Sequence, residues 1–411
     1  MPSNFLRAAA VAAAAILPAW CAAQPLSFDQ ALSLAAQRSE AARAARAAAL
    51  GADESARAAG QLPDPMLRAG IENLPVTGAE RWRTAVEPMT MKRIGISQEW
   101  LAADKRAARE GAARAMAQRE AAQGGVAEGD ARLQAAQAYL EAWYAEAALR
   151  LAAQTEHHLH EELEAARARW AGAAGAAAEV LQLDAARGMA QDESDEARQQ
   201  QASALVALAR WVGFRPESIA PPPSLTPPSE ADYVARHPAV VALRSEAELA
   251  RRNAAVARHE RSANWTWELA YGQRAGYPDL VSFGVSIPLQ IAPARRQDRE
   301  IAAKLALVDQ AEAELAEATR AATAQYQALA GDADRLRQRL QRYERAVVAP
   351  AGRRTAAALA AYRSNQASLA ALFDARHMEV EVQRKLLALQ RELDRAQVEL
   401  ALKPLAQGGA R

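Results

Sequence analysis

Only one cysteine occurs in 411 residues, and it is Cys21, close to the N-terminus. A lone cysteine supports neither a disulfide framework nor a paired-thiolate metal site. Aromatics make up 5% of the chain although hydrophobic residues make up 51%. Much of the apolar content is therefore alanine, which argues against an ordinary core of large rings. Charge of one sign is missing too, since Lys+Arg is 50 and Asp+Glu is 49. That balance excludes a polybasic nucleic-acid binder. Beyond the N-terminus no stretch approaches eighteen uninterrupted apolar residues, so no transmembrane helix is expected. There is no nucleophile elbow, phosphate loop or His-Glu zinc motif. Ser, His and Asp are scattered on helical sequence, so neither an enzyme nor a cofactor is expected.

What is present begins with a leader. "MPSNFLR" carries one Arg, "AAAVAAAAILPAW" is a short apolar core, and "CAAQ" offers small residues before a polar one. This is the layout of a secretory signal peptide over 1–23, with cleavage expected after Ala23. Two readings of Cys21 compete. Trp20 before it disfavours a lipidated cysteine and favours a small residue in an ordinary cleavage site. Arg7 is the leader's only charge, so its removal leaves the basic and acidic residues balanced.

The remainder is mostly helix-forming Ala, Glu, Arg, Gln and Leu. Residues 28–60 read as a helix ending near Gly60, and "QLPDP" (61–65) breaks it. Residues 66–75 alternate, with Met66, Arg68, Gly70 and Glu72 set against Leu67, Ala69, Ile71 and Asn73. Residues 90–100 alternate as well. From Asp104 to Arg169 there is no proline, and a helix of that length reaches roughly 100 Å at ~1.5 Å per residue. Gly124 and Gly125 are its weak point and suggest a bend. Another helix follows to about Trp211, and the proline-rich segment 213–229 is a linker.

The plan then repeats. Helical sequence over 230–260 precedes strands at about 264–273 and 279–289, a long helix from Pro293 to Ala349, and a last helix ending before Pro404. Ile94-Gly95-Ile96-Ser97 matches Phe283-Gly284-Val285-Ser286. At nearly the same interval Trp170 matches Tyr362. The chain thus divides into a first repeat (24–212), the linker, a second repeat (230–403) and a short tail (404–411). In the last helix Leu372, Ala375, Val382, Leu386, Leu389, Leu393, Ala396 and Leu400 step by threes and fours, with Glu379 as the misfit. This is a coiled-coil seam.

Each strand suits a membrane β-strand, and Trp82, Trp100, Trp265, Trp267, Tyr271 and Tyr277 cluster at the strand tips as interfacial aromatics do. Strand sequence alone is equally compatible with a soluble core. Strand number weighs more. Four strands cannot close a membrane barrel, and lipid does not tolerate an open edge. If the strands enter a membrane, several copies must share one barrel, with the helices projecting to one side.

Taken together, these features resemble the TolC-like outer-membrane efflux proteins over essentially the whole chain after the leader. "PDPMLRAGIENLP" (63–75) and "MTMKRIGISQEWLAADKR" (89–106) resemble the branch serving heavy-metal pumps of the resistance-nodulation-division class. The resemblance implies a mainly α fold of two tandem helix–hairpin–helix repeats. Three copies would share a twelve-stranded outer-membrane barrel and a periplasmic α-helical tube. It implies a homotrimer in contact with outer-membrane lipid, a periplasmic adaptor and an inner-membrane pump as partners, and passive conduction of heavy-metal cations. Export of drugs, other small molecules or a secreted protein on the same fold is an alternative. A periplasmic coiled-coil scaffold without a barrel is a further one.

"RARWAGAAGAAAEVL" (167–181) and "AAYRSNQASLAALFDA" (360–375) resemble the family's two tip turns. This implies an adaptor-docking surface at Trp170, Gly172, Gly175, Glu179, Tyr362, Ser364 and Asn365. Just beyond the turns, Asp184, Arg187, Asp374 and Arg376 are candidate aperture charges, although any one of them also fits a solvated helix surface. His157, His158 and His160 with Glu156, Glu161 and Glu164 read as a solvated face, since one helix supplies too few converging ligands for zinc. Met89 and Met91 are weak candidates for transient contact with a soft cation. Met66 is expected to face lipid or a barrel contact.

Overall fold

The computed structural model describes residues 25–172, 175–364 and 366–405. The leader with Cys21, Asn365 at the second tip turn, and the end of the tail lie outside the described residues.

The first repeat opens with two helices, α1 (Phe28–Arg38) and α2 (Glu40–Ala59), where one was expected. Ser39 divides them. Its extended backbone ends α1, and its hydroxyl caps α2 by accepting the Ala42 N–H at 3.2 Å. After the proline break come β1 (Met66–Glu72) and β2 (Met91–Trp100). Next are α3 (Ala103–Ala171), 69 residues without interruption, and α4 (Ala177–Val212). The helix runs unbroken through Gly124. That glycine is buried against α2, where an added Cβ would meet the Ala45 Cβ at 3.6 Å. The glycine therefore sits in a helix–helix contact rather than at a break.

The second repeat is built likewise, from α5 (Glu230–Ala235), α6 (Pro238–Glu260), β3 (Trp265–Arg274) and β4 (Leu280–Ser286). Pro238 starts α6 and splits the expected helix, because the residue before proline leaves the helical region. After α7 (Gln297–Tyr343) the helix does not stop at Ala349. One π turn (Glu344–Val348) carries it into α8 (Ala349–Arg363). Pro350 lies just past that turn. The wider π spacing accommodates the missing N–H and the ring that would break a regular α-helix. The last helix is α9 (Leu369–Leu402), capped by Ser368.

The four strands form one antiparallel sheet in the order β1-β2-β3-β4. The edge strands are seven residues long and the central pair ten. Helices follow the same order at the sheet end, with α2 beside α3, α3 beside α6, and α6 beside α7. Farther down, α4 flanks α3, α3 meets α9, and α9 packs on α7 and α8. The fold is therefore mainly α, in two tandem helix–hairpin–helix repeats.

The largest core lies where helices of the upper and lower levels meet. Phe28, Leu133, Leu140, Leu208 and Val212 surround fully buried Tyr139. The Tyr139 hydroxyl lies 2.8 Å from the Leu26 carbonyl and 2.6 Å from that of Ala220. It thereby fixes the linker, which also bridges in parallel from Leu26 to Ile219. Burial raises the Tyr139 pKa to about 12. The second repeat echoes this contact, with Tyr326 donating to Pro228 O at 3.1 Å. The α9 seam is buried at Leu372, Ala375, Val382, Leu389, Leu393 and Leu400, and half-buried at Leu386 and Ala396.

Candidate functional site

The sheet separates two chemistries by strand alternation. Register places Leu67, Ala69 and Ile71 on the same face as Ile94, Ile96, Leu269, Val281, Phe283 and Val285. The other face carries Met66, Arg68, Gly70, Glu72, Arg93, Gly95, Ser97, Glu268, Ser282 and Gly284. Met66 thus belongs to the polar face, away from the apolar face on which a lipid contact would lie. Arg93 is central there. It donates to Glu72 at 2.7 Å and to Glu268 at 2.9 Å, tying three strands and both repeats together. Arg68 lies 3.8 Å from Glu268 on the same face.

The aromatic residues fall at the two ends of the apolar face. At the helix end, Trp100 opposes Trp265 in register with ring centroids 5.9 Å apart, and Trp267 follows on the same face. At the hairpin end, the Tyr271 hydroxyl bonds Asp279, and Arg274 lies over the Tyr277 ring at 5.8 Å. Trp82 is exposed in the long hairpin, with a φ of 64°. Lys92 and Gln273 share the apolar face at this end.

Sheet and helices join through Lys105, whose side chain is 2% exposed. Its ammonium donates to Ser262 O at 2.7 Å and to Asn264 Oδ1 at 2.6 Å, and it sits 3.2 Å from Glu260. Asn264 donates in turn to Glu99 at 2.7 Å, and Arg109 donates to Glu260 at 2.9 Å through Nε. Burial raises the Glu260 pKa, but the bonds from Arg109 and Lys105 outweigh it and hold the carboxyl below its ordinary value. His259 and Asp104 complete the joint at 3.1 Å. Of these residues, the amino-acid pattern alone marks only Asp104, as the start of the proline-free helical run.

At the opposite end the two turns come together. Arg169 ion-pairs with Glu179 and lies over the Tyr362 ring at 5.1 Å, and the Tyr362 hydroxyl donates to Glu179 at 3.2 Å. Burial raises the Tyr362 pKa, and Glu179 adds to this against the opposing charge of Arg169. Three helices thereby meet in one polar contact, above an apolar cluster of Leu163, Ala166 and Leu183 with Val180, Leu369 and Phe373. Trp170 is 55% exposed beside it. Ser364 bonds back to Ala360 and Ala361 carbonyls. Gly172 caps α3 with φ −85°, a conformation open to any residue. Gly175 is confined by space, since a Cβ there would lie 3.0 Å from Trp170 N. The sequence singles out Glu179 and Tyr362 and misses Arg169, whose partners become visible only in three dimensions.

The candidate aperture charges divide. Arg376 turns inward to pair with Glu162 across the α3–α9 contact. Asp184 pairs with Arg167 at 3.1 Å. Arg187 is half-buried and Asp374 is exposed. Among the described residues, no three His, Cys, Asp or Glu side chains converge as a metal site. His157 and His158 both approach Glu161, at 3.4 and 3.8 Å, and all three are exposed. Met89 is exposed in the hairpin and Met91 begins β2 on the polar face. Met66 lies at the far end of β1, roughly 20 Å away at ~3.3 Å per residue.

Among the described residues, no helix is long and apolar enough to cross a membrane. No protein-family model matches the chain, and no curated protein matches it in sequence. Solved structures do match in fold. The outer membrane protein VceC from Vibrio cholerae aligns with a TM-score of 0.73 and 20% identity, over 92% of this chain and 96% of that one. The CmeC outer membrane channel of Campylobacter jejuni gives 0.70 and 12%, over 93% and 87%. The open-state MtrE outer membrane channel of Neisseria gonorrhoeae gives 0.63 and 16%, over 92% and 89%. The chain has the fold of these proteins along nearly its whole length.

Proposed function

We propose that three copies of this chain close a twelve-stranded barrel in the outer membrane and extend a helical tube into the periplasm. The trimer is the passive outer conduit of a tripartite efflux system. The single observation that carries this reading is the sheet. One face is apolar and ends in aromatics, the other is charged, and both edge strands are open. Backbone groups left unpaired at β1 and β4 cost too much in lipid for one copy to insert alone. Joining β4 of one copy to β1 of the next removes every edge, and the polar face then lines the bore. Likeness in fold to outer-membrane channels supports the same reading.

An adaptor would dock at the tip, on exposed Trp170 and the turn residues Gly172, Gly175, Glu179, Tyr362, Ser364 and Asn365. Asp184, Arg187 and Asp374 remain the aperture candidates that can face other copies. An inner-membrane pump of the resistance-nodulation-division class would supply the energy. The proposed cargo is heavy-metal cations, supported by the resemblance of segments 63–75 and 89–106. Weak contacts at Met89 and Met91 suit passage better than storage.

Membrane fractionation tests the channel. The protein should resist carbonate extraction, sediment with outer membranes and run as a heat-dissociable trimer. Release by carbonate would overturn the barrel. Deletion of the gene tests the cargo. Raised sensitivity to copper, silver, zinc, cobalt or cadmium is expected, and unchanged tolerance to all of them would remove the metal assignment.

A further inference from the structure

The helix α7–α8 carries a run of positive charge that the chain itself leaves uncompensated. Residues 335–354 contain seven arginines and one acid, Glu344. All seven arginines are exposed. Arg335 and Arg337 pair with Asp332 and Asp334, each at 2.5 Å. Arg339, Arg342, Arg345, Arg353 and Arg354 have no ion-pair partner among the described residues.

A complementary run lies on α4, where 192–196 reads Asp-Glu-Ser-Asp-Glu. Ser194 is buried and Glu193 pairs with Arg384 on α9. Asp192 lies about half a turn from Ser194 on the exposed side. Asp195 is exposed as well, with only Arg198 on its own helix as a partner. Along that exposed side, Leu181 and Val206 are also open, at 71% and 63%. A helix face that mixes acids with open aliphatic side chains fits coverage by another surface.

Level and order bring the two runs together. Asp192 stands ~23 Å above the tip turn and Arg345 ~27 Å, at ~1.5 Å per helical residue counted from Ala177 and Arg363. The Arg384–Glu193 pair supports this count for α4 and α9, and the bond from Thr355 to Ala375 O supports it for α8. In the lower tube the helices run α4, α3, α9, then α8, so α4 and α8 are the two flanks. Closing the sheet through β4 and β1 places the α7–α8 flank of one copy against the α4 flank of the next.

We propose that Arg342 and Arg345 of one copy face Asp192 and Asp195 of the next, forming an ionic seam between subunits midway along the lower tube. This inference rests on the trimer reading above. The seam repeats three times around the ring, holds the helical wall together well below the barrel, and weakens as salt rises.

The test uses the full-length trimer in mild detergent. Arg345→Glu and Asp192→Arg should each lower its heat-dissociation temperature at low salt, with the difference vanishing near ~1 M salt, where charges are screened within ~3 Å. The exchanged pair Arg345→Glu with Asp192→Arg should restore the temperature. In a second measurement, Arg345→Cys with Asp192→Cys should give covalent trimers with a short bis-maleimide, and neither single variant should. A wild-type trimer whose reversals change nothing, or whose cysteine pair fails to link, would overturn the seam and leave the trimer standing. A wild-type chain that runs as a monomer would overturn the trimer reading and the seam with it.

Discussion

Replacing Lys105 with Met probes the joint where the sheet meets the tube. The methionine keeps the length and apolar stem but removes the ammonium. Ser262 O and Asn264 Oδ1, at 2.7 and 2.6 Å from Nζ, then lose their donor. An unsatisfied buried acceptor costs ~1–3 kcal/mol, and removing one partner of a fully buried ion pair costs ~3–5 kcal/mol. Glu260 is partly exposed and keeps Arg109, so its loss lies well below that range. Ser262 is exposed and its carbonyl can turn to water, so half-buried Asn264 dominates and the expected destabilisation is about 2 kcal/mol. Glu260→Gln should cost only about 1 kcal/mol, because Lys105 retains both acceptors and the amide can still accept a bond. The double variant should cost little more than Lys105→Met alone, since the two groups share one network. The assay is the thermal transition of detergent-extracted protein by circular dichroism at a fixed scan rate. Lys105→Met melting with wild type, or Glu260→Gln costing more than Lys105→Met, would refute the reasoning. The pH dependence has a definite sign. Glu260 has a folded pKa below its ordinary value of 4.5, so its contribution is present above that pH. The contribution should fade as pH falls below about 4.5, and Glu260→Gln should flatten that part of the stability curve.

Three further perturbations separate backbone space, charge on the polar face and core polarity. Gly95→Ala places a Cβ 2.8 Å from the Ala270 Cβ, whereas Gly284→Ala meets nothing within 4 Å in its own chain. The first should cost roughly 1–3 kcal/mol and lower the trimer yield, and equal yields of the two variants would count against the pairing of Gly95 with Ala270. Arg93→Gln removes the partner of Glu72 and leaves Glu268 only Arg68, at 3.8 Å, on the polar face. In a planar bilayer, conductance should become more cation-selective at low salt, and an unchanged reversal potential would place that face outside the bore. Tyr139→Phe removes the hydroxyl shared by the Leu26 and Ala220 carbonyls, so a loss of ~1–3 kcal/mol is expected in the same thermal assay.

Local pattern carried much of the architecture. The alternation of Ile94, Gly95, Ile96 and Ser97 gives strand faces directly, since side chains alternate whatever the neighbours. The proline-free run through α3 and the spacing of Leu389, Leu393 and Leu400 give a long helix and its seam. Element ends were harder to read, because they depend on competing details. Ser39 caps a new helix inside an alanine-rich run, and a π turn carries the chain past Pro350. Gly124 resembled a hinge in sequence yet lies buried inside an unbroken helix, because only the position of Ala45 shows that α2 packs there. At the tip, Tyr362 and Glu179 were legible from the repeat. Arg169 was not, because an arginine on a helix surface looks alike whether it faces water or a ring.

The sequence by itself determined the duplicated plan, the two-faced strands and the long helical runs, since each follows from periodicity and chain connectivity. Only the tertiary structure decided which charges meet. Arg93 reaches Glu268, Lys105 reaches Asn264 and Arg376 reaches Glu162, each across more than a hundred residues of chain. Such pairs depend on the strand register and on how each helix is rotated against its neighbour. A shift of one residue in a strand reverses its face, and one in a helix turns the side chain by about 100°. Packing of the whole chain sets both quantities, and no local stretch encodes them.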